Sequence, residues 1–502
     1  MKNRVFKVLH IIILLIISFI IAFTCYMYYR FSTTIFEQIM FTIFNNVSSA
    51  GGGIVKPTIK YVIPFSVLIF IFFYFLFYDI TFNKIKIRIK EKQIYPLKFF
   101  NKNKKLITLL LFIVTVLALL NSVHFFDYLS YSRVDSSFIK DNYTDPKNTN
   151  ITFDEKRNLI MIFVESLETS LFKKENGGYW DYDVIPELNK LLDEDDVVTF
   201  YNNNKQEQMN MISGASWTTA SIVSNSTALP FKVNIEGNNY RSKKFMNGSY
   251  ALGDLLKDNG YYNEVISGAS TSFGGVREFF QRHGNYNIID IDSLDNYNFS
   301  PNDNDFGYWG LNDKYLFEIA KKRLETISKD SKPFNLNLIT IDTHFVDGYV
   351  GDYSETKYSE QYENAYATTS RLIYNFVNYV KEQPYYSNTT ILILGDHLSM
   401  QNDFFDKRNA DKRYIYFTII NPKNKEGKFN NRIYTSLDTY PTIISSIGGN
   451  IDGDKLGLGV NLFSSNETLG EKYGLETLDT KLQERSKFYN DVILDDNYLY
   501  FK

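Results

Sequence analysis

The sequence contains a single cysteine, Cys25, and only five histidines among its 502 residues. One cysteine cannot form an internal disulfide, and it excludes a zinc module built from cysteine ligands. Charged residues make up 22% and aromatic residues 17% of the chain, which excludes a disordered or collagen-like protein. The length is sufficient for two to four domains at roughly 150 residues each. We therefore expect a folded protein of more than one domain.

The formal net charge of −3 is small because two unlike parts of the chain offset each other. Residues 1–126 carry 15 basic and 3 acidic side chains, whereas residues 127–502 carry 39 basic and 54 acidic ones. Such an asymmetry is typical of a protein with one part in a membrane.

Three long apolar runs lie in the basic part of the chain and begin at Val8, Tyr61 and Leu106. Their lengths match the hydrocarbon thickness of a bilayer when the chain is helical. The alternative for the first run is a cleaved signal peptide, but the run is long for one and no A-x-A site follows it. The three runs therefore predict a membrane anchor of three helices.

The segment 81–105 holds nine basic residues and one acidic residue, Glu91. Positively charged loops stay in the cytoplasm, so three crossings place the chain after about residue 125 outside it. This position also explains the basic cluster without nucleic-acid binding, which the acidic second part does not favour. The segment 33–53, between the first two runs, is predicted to be a helix at the outer membrane surface.

Beyond the anchor, short apolar runs alternate with helix-like segments, as in a mostly parallel sheet covered on both faces. Three of the runs end directly in side chains that can do chemistry: Glu165, then His344, then Asp396 with His397. In open α/β sheets, ligands bind just beyond the carboxyl ends of the strands. The sequence therefore predicts a site that gathers these side chains.

Each of these residues also has a structural interpretation. A lone acid after a strand, such as Glu165, is as often a helix cap as a ligand, and a lone histidine is often a core residue. For His397 the metal interpretation is favoured, because Asp396 precedes it directly. One carboxylate oxygen and one imidazole nitrogen suit Zn²⁺ or Mn²⁺, with Mg²⁺ as a further candidate.

A candidate nucleophile lies in the segment 212–230, which is rich in hydroxyl groups. Ser216 is expected to cap a helix that starts near Thr218, which puts the Thr218 hydroxyl at a helix N-terminus that favours phosphate. A metal ion is one way to activate such a hydroxyl. Composition alone favours an ordinary Ser/Thr-rich loop.

Taken together, the ordered motifs resemble the lipoteichoic acid synthase and phosphoglycerol transferase family of the alkaline phosphatase/sulfatase superfamily. They are closest to the phosphoglycerol transferases that modify periplasmic glucans or wall polysaccharides. The strings that carry the resemblance are NLIMIFVESLE, SWTTASIVSNSTALP, FGGVREFFQRHG, YWGLNDKYLF, IDTHFVDGY, TTILILGDHLSM, LDTYPTIISSIGGN and LGLGVNLF.

The resemblance implies roles for six residues. Glu165, Asp396 and His397 are similar to three ligands of one divalent metal, and Thr218 to the catalytic threonine that completes the set. His344 is similar to a catalytic histidine on the substrate side. In the same way, Arg282 is similar to an arginine that binds the substrate phosphate.

The chain departs from the family pattern at several positions. Thr219 adjoins Thr218, so a shift of one residue would transfer the nucleophile role to it. Ser370 stands where the family often has an aspartate, and Phe273 stands where the synthases have a histidine. The C/S-x-P-x-R motif of sulfatases proper is absent from the sequence.

We expect an α/β fold with an alkaline-phosphatase-like, mostly parallel sheet flanked by helices, preceded by the three-helix anchor. The predicted divisions are a transmembrane anchor, an extracytoplasmic linker, a catalytic domain and a C-terminal tail, at residues 1–125, 126–157, 158–470 and 471–502.

The functional hypothesis is an enzyme of the bacterial cell membrane, with several membrane crossings and an extracytoplasmic catalytic domain. It would transfer glycerol phosphate from phosphatidylglycerol through a threonine intermediate to a hydroxyl of a cell-surface glycan or of polyglycerol phosphate. The alternatives are a phosphoethanolamine transferase, a phosphodiesterase, and a catalytically inactive scaffold that binds lipid or glycan.

Overall fold

A computed structural model of the chain describes residues 2–30, 36–44, 52–78, 87–89, 92–94, 98–233, 245–427 and 429–494. The chain divides into two compact units. The first comprises Met1–Ile39 and Gly52–Leu129, and the second comprises Met40–Gly51 and Ser130–Lys502.

Three long helices dominate the first unit. Helices α1 to α5 are Lys2–Arg30, Phe36–Phe44, Gly52–Tyr78, Lys98–Lys102 and Lys104–Ser122. The stretches Arg4–Tyr29, Ile59–Tyr78 and Lys104–Ser122 are long and apolar enough to cross a membrane. Helix α1 contacts both α3 and α5. The three apolar runs therefore do form helices of membrane-spanning length.

Only parts of two predicted features of this region are described. Strands β1 (Ile87–Ile89) and β2 (Lys92–Ile94) form an antiparallel hairpin inside the basic segment, whereas residues 79–86, 90–91 and 95–97 lie outside the described residues. Helix α2 lies in the segment predicted to be a surface helix, of which 33–35 and 45–51 are likewise outside. Its location at a membrane surface stays a prediction.

A buried histidine links the three long helices. The ring of His10 on α1 is hydrogen-bonded through Nδ1 to the Tyr78 hydroxyl (2.6 Å) and through Nε2 to the Thr108 hydroxyl (2.8 Å). Tyr78 ends α3 and Thr108 lies on α5. Because polar groups in an apolar bundle need partners, this network fixes the three helices against one another.

The second unit is built on a seven-stranded sheet. Strands β3 to β13 are Ile151–Phe153, Asn158–Val164, Val197–Val198, Tyr262–Ser267, Asn287–Ile289, Phe334–Ile339, Thr389–Gly395, Phe417–Ile420, Gly449–Ile451, Lys455–Leu456 and Gly459–Val460. The order in the sheet is β5-β10-β9-β4-β8-β6-β7. Within this sheet β10 runs opposite to the other six strands, which are parallel to one another. The predicted mostly parallel α/β fold is confirmed.

The remaining helices begin close to the division between the two units and, apart from the first of them, lie wholly in the second unit. Helices α6 to α17 are Phe125–Tyr131, Phe138–Asn142, Pro186–Leu191, Thr218–Thr227, Leu252–Asp258, Val276–Arg282, Asp313–Ile327, Gln361–Lys381, Asn402–Asp406, Thr439–Ser446, Leu469–Tyr473 and Leu475–Gln483. Every residue of the central strands β4, β8 and β9 is buried. Burial on both faces explains why these strands are continuous apolar runs in the sequence.

The register brings the ends of the central strands level. Phe163 on β4 pairs with Ile339 on β8 and with Leu394 on β9, and Val164 pairs with Gly395. The residues that follow these three strands therefore emerge side by side at one edge of the sheet.

The described part of the predicted C-terminal tail, residues 471–494, belongs to the second unit. The Lys232 ammonium donates to the carbonyl oxygens of Leu482 (2.7 Å), Gln483 (3.1 Å) and Glu484 (2.5 Å) at the end of α17. The Asp479 carboxylate on α17 accepts from the backbone N–H of Ser213 at 2.6 Å and from its hydroxyl at 2.9 Å. This segment thus fixes the loops before and after α9.

Candidate active site

Three buried side chains converge at the level edge of the sheet. Glu165 follows β4, and Asp396 and His397 follow β9; one potential ligand atom from each lies within 4.8 Å of the others. The His397 Nε2 atom is 3.7 Å from Glu165 Oε1 and 3.4 Å from Asp396 Oδ2. Two carboxylates and an imidazole that share one point form a candidate centre for a divalent metal.

The Asp396 carboxylate is fixed by the backbone. Its Oδ1 atom accepts hydrogen bonds from the N–H groups of Ser166 and His397, both at 2.8 Å. Oδ2 is then the oxygen that faces the centre. Burial, and then the charge of Glu165, raises the pKa of Asp396 to about 6. A positive charge at this point would relieve both effects.

The His397 ring is fixed in one orientation. Its Nδ1 donates to the carbonyl oxygen of Leu398 at 2.9 Å, which leaves the Nε2 lone pair directed at the carboxylates. Burial alone would lower the pKa of His397, but the carboxylates of Asp396 and Glu165 raise it above its ordinary value. The tautomer that this hydrogen bond selects is the one that can bind a metal.

Glu165 lies at a tight turn after β4. The Ser166 hydroxyl donates to Glu165 Oε1 at 2.6 Å, and the Ser166 backbone has φ of 54°. The backbone N–H of Glu165 donates to the Thr340 hydroxyl at 3.1 Å, and the Thr343 hydroxyl donates to the Glu165 carbonyl. The loop after β8 therefore supports this carboxylate from the neighbouring strand.

The two adjacent threonines have different surroundings. Thr218 begins α9, is partly exposed, and lies close enough to Asp396 to lower the pKa of that carboxyl. Thr219 is buried, and its hydroxyl donates to the Gly274 carbonyl at 2.7 Å. The Thr219 hydroxyl therefore already has a structural hydrogen-bond partner. Of the two hydroxyl groups, this geometry favours Thr218 as the one next to the candidate metal centre.

The start of α9 differs from the prediction in one detail. The helix begins at Thr218 as expected, but the cap residue is Trp217, with extended backbone and no side-chain cap. Ser216 as the cap was wrong, because the chain enters the helix one residue later. Within the described residues, the Ser216 hydroxyl and the Trp217 indole N–H are buried without a protein partner. Two such groups beside a helix N-terminus suit an oxygen-rich anion.

His344 lies close enough to the centre for the charges of His397 and Asp396 to act on its pKa. Burial is the main cause that lowers this pKa to about 4. Its Nδ1 donates to the Phe345 carbonyl at 2.6 Å, and the Trp309 ring lies 4.0 Å from it between centroids. At neutral pH the ring is therefore uncharged, and Nε2 can accept a proton.

Arg282 is not joined to the other predicted residues. It ends α11, is exposed, and its Nε donates to Asn247 Oδ1 at 2.6 Å; among the described residues no hydrogen bond or ion pair joins it to Glu165, Thr218 or Asp396. A second arginine, Arg277, lies nearer the start of the same helix. The role of Arg282 as a phosphate ligand stays a prediction.

The structure describes Ser370 and Phe273, two positions at which the chain departs from the family pattern. The Ser370 hydroxyl donates to Glu187 Oε2 at 2.8 Å and accepts from the Leu188 N–H at 3.3 Å, so it joins α13 to α8. Phe273 is partly exposed, directly before the Gly274–Gly275 turn that contacts Thr219.

A buried ion pair supports the segment that follows His397. Arg413 donates through Nε to Glu168 Oε2 at 2.7 Å and through Nη2 to Glu168 Oε1 at 2.5 Å. Arg413 Nη2 also donates to the Ser399 carbonyl at 2.8 Å, and Glu168 Oε1 accepts from the Ser399 N–H at 3.1 Å. The pair thus holds both the N–H and the carbonyl group of Ser399, two residues after His397. Glu168 ends one of the motif strings and Arg413 lies in none of them, so only the structure could pair the two residues.

Comparison with curated proteins finds phosphoglycerol transferases. Phosphoglycerol transferase I of Shigella flexneri is 29% identical over 328 residues, which cover 63% of this chain and 40% of that protein. Phosphoglycerol transferase I of Escherichia coli (strain 55989 / EAEC) is 29% identical over 329 residues, with the same coverage. The chain therefore spans about 40% of the length of the curated relatives that it matches.

Solved structures share the fold. Lipoteichoic acid synthase LtaP from Listeria monocytogenes superposes with a TM-score of 0.51 at 18% identity, over 66% of this chain and 83% of that chain. A protein in the alkaline phosphatase superfamily from Vibrio parahaemolyticus gives 0.51 at 20% identity, over 68% and 81%. The integral membrane protein EptA from Neisseria meningitidis gives 0.50 at 15% identity, over 88% and 84%.

The family assignment rests on the sequence itself. The profile of the sulfatase family matches residues 138–449, which is more than half of the chain and contains all six predicted site residues. The superfamily to which the motifs pointed is thereby confirmed. The chain belongs to the sulfatase family.

Proposed function

We propose that the protein is a membrane-anchored, divalent-metal-dependent phosphoglycerol transferase. The donor would be phosphatidylglycerol, and the acceptor a hydroxyl group of a cell-surface glycan or polymer. The observation that carries the proposal is the position of Thr218, which begins α9 beside Asp396 and two further potential metal ligands. The identity of 29% with phosphoglycerol transferase I supports the choice of transferred group.

The donor set fits a divalent cation. Glu165, Asp396 and His397 offer two carboxylate oxygens and one imidazole nitrogen, and Thr218 offers a hydroxyl oxygen. This mixture of ligands suits Zn²⁺ or Mn²⁺. A cation bound there would favour loss of the threonine proton and would neutralise charge on the phosphoryl oxygens.

The proposed reaction consists of two successive transfers of the glycerol phosphate group. In the first, the Thr218 oxygen attacks the phosphorus, a glycerophospho-threonine forms, and diacylglycerol leaves with a proton. The backbone N–H groups at the start of α9 bind the phosphoryl oxygens during this step. In the second, the acceptor hydroxyl attacks the same phosphorus and releases Thr218. His344, uncharged at neutral pH, accepts the acceptor's proton through Nε2.

We also propose that the three long helices cross the membrane and place the second unit outside the cytoplasm. Nine basic residues in the segment 81–105 support a cytoplasmic loop between the second and third helices. The anchor would keep the catalytic unit at the surface where the donor head group is presented. Hydrolysis of sulfate esters is not part of the proposal, since the C/S-x-P-x-R motif is absent from the sequence.

The test is transfer of labelled glycerol phosphate by the full-length protein in detergent with phosphatidylglycerol. Thr218→Ala should abolish turnover while metal content and thermal unfolding stay close to wild type. Thr219→Ala is the matched control, because it removes a hydroxyl that already donates to the Gly274 carbonyl. Full turnover by the Thr218→Ala protein would refute the assignment.

Product analysis separates the remaining candidates. Release of free glycerol phosphate with every acceptor would indicate a phosphodiesterase. Turnover with phosphatidylethanolamine but not with phosphatidylglycerol would indicate a phosphoethanolamine transferase.

A further inference from the structure

A turn before α12 presents two neighbouring aromatic residues beside His344. The turn is closed by the Gly307 N–H, which donates to the Gly310 carbonyl at 2.7 Å. Trp309 lies against the His344 imidazole, 4.0 Å between ring centroids, and Tyr308 meets Tyr349 edge-on at 5.4 Å. One turn therefore touches the predicted catalytic histidine and extends away from it as an aromatic surface.

The aromatic side chains of this turn are more exposed than those of the other tryptophans of the protein. Tyr308 is 62% and Phe306 39% exposed, and Trp309 is partly exposed. The other two tryptophans, Trp180 and Trp217, are only 2% and 7% exposed. A group of exposed aromatic side chains next to a reactive residue is typical of a ligand-binding surface.

The surroundings of the aromatic group are acidic. The two chain segments that form it, 301–313 and 342–352, contain six aspartates, of which Asp313 and Asp342 are buried, and one exposed cation, Lys314, directly follows the first segment. Among these aspartates, Asp303, Asp347 and Asp352 are exposed. Such a surface repels anionic lipid head groups and anionic polymers. It suits instead a neutral ligand with an apolar face and many hydroxyl groups.

We propose that Phe306, Tyr308, Trp309 and Tyr349, the aromatic acceptor surface, bind a neutral sugar ring of the acceptor glycan. The aromatic rings would stack on the C–H face of the sugar, and the neighbouring carboxylates would accept hydrogen bonds from its hydroxyl groups. The role of the bound sugar as acceptor rests on the proposed function, whereas the binding of a sugar to this surface does not.

A sugar bound at the aromatic acceptor surface would be positioned for the second transfer. A sugar hydroxyl held over Trp309 lies next to His344, whose Nε2 takes up its proton. The bond between the sugar oxygen and phosphorus forms as the bond between the Thr218 oxygen and phosphorus breaks. The Thr218 oxygen regains a proton, so the protein ends the cycle unchanged.

Binding can be measured without turnover. The full-length Thr218→Ala protein in detergent is titrated with neutral hexose oligosaccharides of several linkages, and tryptophan fluorescence is recorded. Because Trp309 is the most exposed tryptophan, saturable perturbation of its emission is expected, and Trp309→Phe should remove the signal. In this background Tyr308→Ala should weaken binding about tenfold, and Tyr308→Phe, which keeps the ring, should stay within about twofold of the parent.

The control variant is Tyr262→Ala, which alters a partly exposed tyrosine at the start of β6, at the opposite edge of the sheet, and should leave sugar affinity unchanged. The proposal is overturned if no neutral oligosaccharide binds, if Tyr262→Ala weakens binding as much as Tyr308→Ala, or if polyglycerol phosphate or phosphatidylglycerol vesicles bind this surface instead. Release of glycerol phosphate to water by the protein with Thr218 intact is measured separately. Turnover without sugar binding would overturn only this inference, and sugar binding without turnover would overturn only the proposed transferase activity.

Discussion

The ion pair between Arg413 and Glu168 gives a prediction that tests how the active site is supported. Glu168 is fully buried, and Arg413 is 12% exposed. The guanidinium binds both carboxylate oxygens, the Ser399 carbonyl and, through Nη1, Asn402 Oδ1 at 3.0 Å. It also lies 4.0 Å from the centre of the Phe405 ring. Arg413→Met keeps most of the side-chain volume and removes the charge and every hydrogen bond.

The expected loss of stability in Arg413→Met comes from the Glu168 carboxylate, which would be left without its cation. Removing one partner of a buried ion pair leaves an unpaired charge in the interior and costs about 3–5 kcal/mol. Glu168 would keep only the Ser170 hydroxyl and the Ser399 N–H as donors. The double variant Glu168→Gln with Arg413→Met removes the stranded charge and should be clearly more stable than Arg413→Met alone. The free energy of unfolding is obtained by chemical denaturation of the full-length protein in detergent.

An exposed ion pair provides the control. Lys423 and Glu155 are 2.5 Å apart with side chains 46% and 65% exposed. Lys423→Met should therefore cost less than about 1 kcal/mol. The reasoning is refuted if Arg413→Met costs no more than Lys423→Met, or if the double variant is as unstable as Arg413→Met.

Three further predictions concern the metal centre, the C-terminal segment and the phosphate. The pKa of Asp396, about 6, lies above its unfolded value of about 3.9, so the metal-free protein loses about 3 kcal/mol as the pH rises from about 4 to about 7. Asp396→Asn should remove this loss of stability. At pH 7 in the presence of a chelator, the variant should therefore have a higher Tm than wild type, and added Zn²⁺ or Mn²⁺ should raise the Tm of wild type only. An equal rise of Tm in both proteins would contradict the assignment of Asp396 as a metal ligand. Lys232→Met should cost about 1–3 kcal/mol in chemical denaturation, because three carbonyl groups lose a buried donor, whereas the exposed Lys487→Met should cost less than about 0.5 kcal/mol. Arg282→Ala should raise the KM for the donor about tenfold if the predicted phosphate contact forms, and an unchanged KM would refute that role.

The fold could be predicted because its central strands are unambiguous in the sequence. Strands β4, β8 and β9 are buried on both faces and appear as continuous apolar runs. Glu165 and Asp396 directly follow β4 and β9, whereas His344 comes five residues after the end of β8. The rule that parallel strands share one carboxyl edge then brings Glu165 and Asp396 together, although they are far apart in sequence. The metal candidates follow from local pattern and topology alone.

Other parts of the site depend on contacts that no local pattern specifies. The Arg413–Glu168 pair and the Lys232 cap of α17 join segments that are far apart in the sequence, and no motif indicates which residues pair. The choice between Thr218 and Thr219 needed the hydrogen bond to Gly274, since the two side chains are chemically identical. Ser216 was misplaced as the cap because propensity favours serine there, while the structure begins the helix after Trp217.

The central claim is that Thr218 carries the transferred group. The full-length protein is mixed with labelled phosphatidylglycerol in the absence of acceptor, quenched in acid and digested, and the peptides are examined by mass spectrometry. The account predicts glycerol phosphate on the Thr218 hydroxyl, formed within one turnover and lost when acceptor is added. A modification of Thr219 or of any other residue, or turnover with no protein adduct at any time, would contradict it.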